Sequence, residues 1–108
     1  MDELDVDKVN LTVEASTVEG VPMLTLVGEL DISTADILRR AVDQVLGGRP
    51  ERLLFDLRDL AFMDSSGIAV MIVAANGVEV VEFRHASPII RRVVEATGLT
   101  DTLRLDPS

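Results

Sequence analysis

The chain has 108 residues, enough for one compact domain and too few for two. Aromatic residues make up 3% of it, with no Trp or Tyr, so the core is aliphatic and no stacking platform for bases or sugars is expected. A net charge of −9 opposes phosphate backbones and anionic lipid, which leaves a basic or apolar patch on another protein as the expected partner surface.

Several chemistries fall away at once. There is no cysteine, so disulfides, thiolate catalysis and Cys-ligated zinc are excluded. The start, from Met1 to Asp5, is acidic and lacks the basic-then-apolar order of a signal peptide. The longest apolar stretch, Ile68 to Ala75, falls short of the roughly 20 residues a bilayer crossing needs. No export address is visible, and a cytoplasmic protein is expected.

Residues 1–8 carry four acids and read as a flexible leader. Val9, Leu11, Val13 and Ala15 alternate with polar residues, the period of a half-buried strand. Glu19-Gly20 reads as a turn, and Val21 to Val27 as a second strand forming an antiparallel hairpin with the first. Gly28 to Asp31 ends it. Ser33 or Thr34 then suits an N-cap, with Asp36 in a spacing like that of a capping box. Ile37, Leu38, Ala41, Val42, Val45 and Leu46 make one helical stripe, and Gly47-Gly48 stops the helix because glycine accepts the left-handed cap conformation.

Leu53 to Leu57 reads as an inner strand covered on both faces. Asp59 to Asp64 reads as a loop with Leu60 and Phe62 tucked inward. Ser65 or Ser66 caps a helix over Gly67 to Ala75, which ends at Asn76-Gly77. Val78 to Phe83 is a further strand, with Val81 and Phe83 on one face. Ser87-Pro88 opens a helix whose stripe is Ile89, Ile90, Val93, Val94 and Thr97. Gly98 ends it, and Thr100 or Asp101 caps one last turn. Strands alternating with helices imply right-handed parallel crossovers, and the opening hairpin makes the sheet mixed.

Candidate chemistry is sparse. The lone histidine, His85, has no metal-ligand spacing around it and reads as a solvated or packing residue. Phosphate-cradling glycine loops and the Gly-x-Ser-x-Gly elbow are absent. The segment Asp64-Ser65-Ser66-Gly67 joins a buried strand to a helix start, the edge of a parallel sheet where ligands and partners bind. Free N–H groups at a helix start favour an anion. A phosphoryl group on Ser65 would add a charge of about −1.5 to −2 there. The plainer alternative is that Ser65 and Ser66 only cap the helix, with Asp64 favouring its first turn. A small hydrolase using Ser65 with His85 is a further alternative.

Four segments carry a resemblance. Leu26 to Ala35 (LVGELDISTA), Leu53 to Leu57 (LLFDL), Leu60 to Ile68 (LAFMDSSGI) and Ala86 to Leu99 (ASPIIRRVVEATGL) resemble, in order, the STAS domain and in particular bacterial anti-anti-sigma factors. The resemblance implies an α/β fold: a STAS-like single domain over 9–105, with a mixed four- to five-stranded sheet, an N-terminal antiparallel hairpin and three to four helices. It implies a non-enzymatic anti-sigma factor antagonist without cofactor or metal. Its partners would be an anti-sigma factor that is also a serine kinase, and a phosphatase that resets the switch. A weak homodimer is an additional expectation, and nucleic acid and membrane are not expected partners.

By the same resemblance Ser65 is the phosphoacceptor with Asp64 beside it, and Asp31 is the acid of a neighbouring recognition loop with Ile32 and Ser33. Ser66 and Gly67 form the helix start, where Gly67 lets a partner backbone approach. The helix after Gly67 ends about one turn early for the family. A helix apolar all round must be covered on every side: either only its buried turns remain, or the surface around Ile68 and Met71 meets the partner or a second copy. The alternative within the fold is an accessory or scaffold subunit of a transporter or stress-sensing complex.

Overall fold

The computed structural model describes residues 10–98 and the strand backbone of 103–105. The leader at 1–8, Val9, and the cap expected at Thr100 or Asp101 lie outside the described residues.

Strand β1 (Leu11–Val18) pairs antiparallel with β2 (Val21–Leu30), from Leu11 opposite Gly28 to Val18 opposite Val21. Glu19 and Gly20 between them have φ of 52° and 82°, the pair of positive values that a tight hairpin turn with the native strand twist requires. β2 runs on through Gly28, where the sequence suggested a stop. Gly28, at φ 118°, sits at an irregularity in the pairing with the next strand, and the backbone beyond it is re-aimed rather than ended.

Helix α1 (Ala35–Leu46) buries Leu38 and Val42, with Ile37, Ala41, Val45 and Leu46 at the edge of the same stripe. Asp36 meets Arg39 and Arg40 at 3.3 and 3.4 Å on the exposed side. Gly47 closes the helix in a right-handed conformation, φ −59°, and the left-handed position falls instead on Arg49 at φ 52°.

Strand β3 is longer than its apolar run. It spans Arg52–Met63, so Asp59 to Met63, read as loop, continue the strand. Its pairing with β2 runs from Leu54 opposite Met23 to Met63 opposite Leu30 and carries the strand past its apolar run, whereas the parallel pairing with β4 (Val80–Arg84) extends from Arg52 to Asp56. Two register shifts in the β2 pairing break the period-two pattern that sequence reading depends on.

Helix α2 (Ser65–Asn76) and helix α3 (Pro88–Ala96) follow β3 and β4. Ser87 caps α3 by accepting from Ile90 N–H at 3.3 Å. Ile90 and Val94 are buried, but Ile89, read as part of that stripe, is 58% exposed. In place of a last helical turn, β5 (Leu103–Leu105) adds parallel to β4, with Val81 opposite Leu103.

The sheet order is β1-β2-β3-β4-β5. Right-handed crossovers along a steadily advancing order put the helices on one face. A single cluster accordingly joins Leu24, Leu26, Phe55 and Phe83 of the sheet with Leu38, Met71 and Ile90 of the three helices. The Phe55 and Phe83 rings lie 5.5 Å apart at 51°. The helices cover β3 on this face alone, yet Leu54 is buried on the other face as well. Buried Leu54 points the other way, among half-buried Thr25, Asp56, Glu82 and Arg84. Arg52 and Glu82 pair at 2.9 Å on that face. Among the described residues no helix is long and apolar enough to cross a membrane.

Candidate functional site

The C-terminal ends of β2 and β3 lie side by side, Leu30 opposite Met63, and both chains leave the sheet there. The Asp64 N–H donates to Leu30 O at 3.1 Å, tying the start of α2 to the end of β2. This juxtaposition brings together two segments far apart in sequence, Asp31–Thr34 and Asp64–Ser66.

Asp64 is the N-cap of α2, one position before the serines expected to fill that role. Its Oδ1 accepts from Ser66 N–H at 2.8 Å, and its carbonyl accepts from Gly67 and Ile68 N–H at 3.1 and 3.2 Å. Because the aspartate satisfies the helix start, Ser65 is released from capping and stands exposed, whereas Ser66 is half-buried. This disposes of the reading in which both serines serve only as caps.

Gly67 has a different role from the one expected. It is buried, and a Cβ there would stand 2.6 Å from Leu30 Cγ and Cδ2 and 2.9 Å from Met63 Cγ. The missing side chain lets α2 settle on the ends of β2 and β3. Ile68 and Met71 are likewise core residues, 7% and 0% exposed, so neither offers a surface to a partner. The helix is apolar on nearly every side because α1 and the sheet cover most of it, leaving Val73 at 50% exposure.

The Asp31–Thr34 turn is held by side chains. Asp31 Oδ1 accepts from Ser33 N–H at 3.0 Å, Ser33 Oγ–H at 2.7 Å and Thr34 N–H at 3.1 Å. Thr34, buried, donates its hydroxyl to Glu29 O at 2.8 Å and accepts from Asp31 N–H at 2.9 Å. Thr34 occupies the N-cap position of α1 without capping it, because its hydroxyl is turned back to β2. Ile32, in the middle of this turn, is 82% exposed.

The Ser33 hydroxyl foremost, with the Ser33 and Thr34 amides, holds the Asp31 carboxyl below its ordinary value of 3.8, against desolvation, the second-largest influence, which pushes it up. A depressed folded-state pKa contributes stability that is present above the ordinary carboxylate value and is lost as pH falls through the depressed one. Melts of wild type and Asp31→Asn from about pH 6 down to about pH 2 are expected to converge as acid removes this contribution. A gap unchanged below the ordinary carboxylate range would contradict it.

Asp31, Ile32, Ser33, Asp64 and Ser65 thus share one corner of the molecule, with Ser66 just inside it. Phe62 belongs with them and was not anticipated. It was expected to tuck inward but is 45% exposed, while Leu60 is buried. The register steps from Gly28 opposite Leu60 to Glu29 opposite Phe62, passing over Ala61, and the extra residue turns Phe62 out. No local sequence signal marks that step. His85 stands apart: it follows β4, whose pairing with β3 ends at Asp56, and its Nε2 lies 3.1 Å from Arg58 Nη2. A triad of Ser65 with His85 has no support in that placement.

Among the described residues no group of three or more His, Cys, Asp or Glu side chains is placed to hold a metal ion. A groove of about 560 Å³ lies at the opposite end of the sheet, lined by Ala15, Pro22, Val45 and Pro50 among others, away from this corner.

Known proteins are similar to this chain in sequence and fold. The chain is 29% identical over 99 residues to the anti-sigma-F factor antagonist RsfB of Mycobacterium tuberculosis, covering 89% of this chain and 81% of that one. It is 32% identical over 96 residues to the anti-sigma F factor antagonist of Paenibacillus polymyxa, covering 83% and 81%. The crystal structure of an anti-sigma factor antagonist from Mycobacterium paratuberculosis superposes with a TM-score of 0.83 at 27% identity, covering 91% of this chain and 86% of that one. The STAS domain model matches residues 12–108, and with the mixed sheet and its helices in family order, the chain belongs to the STAS domain family.

Proposed function

We propose that this protein is an anti-sigma factor antagonist in a partner-switching circuit. Unphosphorylated, it binds an anti-sigma factor that is also a serine kinase, and so frees a sigma factor. The kinase transfers the γ-phosphoryl group of ATP to Ser65 Oγ, ADP leaves, and the modified chain lets go. A phosphatase resets it. The chain works by binding, and its own contribution to the chemistry is the acceptor hydroxyl.

The observation that carries this reading is the exposed Ser65 at the strand-to-helix corner, released from capping by Asp64 and set beside the Asp31 turn. The names of the relatives point the same way. The contact surface would comprise Asp31, Ile32, Ser33, Asp64, Ser65 and Phe62, with Ser66 at its margin.

Electrostatics supply the switch. Neutral Ser65 can enter a dry contact. A phosphate there brings a dianion next to Asp64, whose carboxylate already occupies a place at the helix start where an anion would be welcome. The partner would then have to desolvate like charges together.

The direct test is reconstitution. Adding the unmodified chain to a purified complex of sigma factor with its kinase-type anti-sigma factor is expected to release the sigma factor in proportion to the chain added. A complex that stays intact under excess chain, for every such anti-sigma factor of the host, would refute the proposal.

A further inference from the structure

Resting on that function, we infer that Ile32 is the apolar anchor of partner recognition and that Asp31 is a positioning residue that holds it out. The Asp31–Thr34 turn leaves a bare isoleucine almost wholly in solvent, 82% exposed, in a segment whose other side chains are committed elsewhere. Asp31 Oδ1 takes three hydrogen bonds from Ser33 and Thr34, and Thr34 Oγ is locked between Glu29 O and Asp31 N–H. An apolar side chain on a pre-ordered turn loses little conformational freedom when it docks, the circumstance in which a single residue dominates an interface.

The charges around it select the occupant. Glu29, Asp31 and Asp64 flank Ile32 along the chain and across the strand ends, and the whole chain carries −9. An anionic membrane is repelled by that ring. A second copy meeting this face about a two-fold axis would set the same acids against themselves. What fits is a protein surface with an apolar pocket for Ile32 and cationic groups around its rim.

The test is calorimetric titration of the full, unphosphorylated chain into the purified kinase-type anti-sigma factor that the wild type binds. Ile32→Ala is expected to weaken binding by about thirtyfold or more. Because Ile32 is exposed, the variant's melting temperature should match the wild type and exclude misfolding as the cause. Asp31→Ala should weaken binding by a comparable factor by loosening the turn. Asp31→Asn keeps an oxygen able to accept the same bonds and should stay within about threefold of wild type. An Ile32→Ala affinity within about threefold of wild type would overturn the anchor. An Asp31→Asn variant as weak as Asp31→Ala would overturn the positioning role and make the charge itself the contact. Sedimentation showing that the chain self-associates through Ile32 would assign the anchor to a second copy and overturn the inference too. A wild-type chain that binds no such anti-sigma factor removes the proposed function and the anchor with it, an outcome distinct from loss in the variant alone.

Discussion

Replacing Ser65 with Asp is expected to lower affinity for the anti-sigma partner by at least about tenfold, and phosphorylation by more, whereas Ser65→Ala should stay within about threefold of wild type. The asymmetry follows from the site. Ser65 makes no capping bond that alanine would lose, because Asp64 supplies the cap of α2. Aspartate introduces one negative charge beside Asp64, and phosphate introduces about −1.5 to −2. Folding should not suffer, since a carboxylate in the first turn of a helix is favourable. Equal melting temperatures for the three chains would place the loss at the contact itself. Raising the salt concentration should narrow the gap between Ser65→Asp and wild type, because exposed charges are screened. A Ser65→Asp variant that binds as tightly as wild type would remove electrostatic exclusion from the account.

Gly28→Ala is expected to be among the most damaging single substitutions, destabilising by about 3 kcal/mol or more. Gly28 has φ 118°, where a side chain is strained, and an added Cβ would lie 2.0 Å from Asn10 O and 2.9 Å from Asn10 C, both backbone atoms that cannot swing away. The next residue's N–H donates to the same Asn10 O at 2.7 Å, so relief of the clash would break a β1–β2 tie as well. For a domain of this size each kcal/mol moves the midpoint by roughly 4–8 °C, so a fall of at least about 12 °C is expected in a thermal melt. The functional consequence should exceed that of the stability loss alone. Gly28 lies just upstream of Glu29, whose carbonyl anchors Thr34, and rebuilding the strand there would disturb the turn that presents Ile32. A variant melting within a few degrees of wild type would show that the ladder is not fixed there.

The sequence made some elements legible and hid others for definable reasons. The hairpin was readable because Glu19-Gly20 is a turn dipeptide between alternating segments, and α1 and α3 because their apolar residues recur at helical spacing. The second half of β3 was hidden. Its register shifts against β2 scramble the alternation, and the polar residues Arg58 and Asp59 look like loop. The same shift hid the exposure of Phe62. Gly28 read as a stop because a glycine at a bulge and a glycine at a strand end carry the same letter, and only the pairing partner tells them apart.

The pattern Asp64-Ser65-Ser66-Gly67 marks the junction of β3 and α2, but assigning tasks within it required coordinates. The fully apolar run from Ile68 to Ala75 could not show which side chains α1 and the sheet would cover, and Ile68 and Met71 proved internal. Gly67 was recognisable as a close approach, yet its neighbours Leu30 and Met63 come from two strands that only the fold places against it. The Asp31 turn was legible as a polar helix entry. That one carboxylate oxygen gathers Ser33 and Thr34 together was not, since by residue type Ser33 and Thr34 are equally able to cap α1.

The central claim is that Ser65, and not its neighbour, receives the phosphate. Trypsin cutting after Arg58 and Arg84 releases the segment 59–84, in which Ser65 and Ser66 are the only hydroxyl side chains. The measurement is fragmentation mass spectrometry of that peptide after incubating the chain with ATP and the kinase-type anti-sigma factor it binds. A single phosphate on Ser65 is predicted, because its hydroxyl is exposed while Ser66 is half-buried with its amide held by Asp64. An unmodified peptide, or a phosphate on Ser66, would contradict the account.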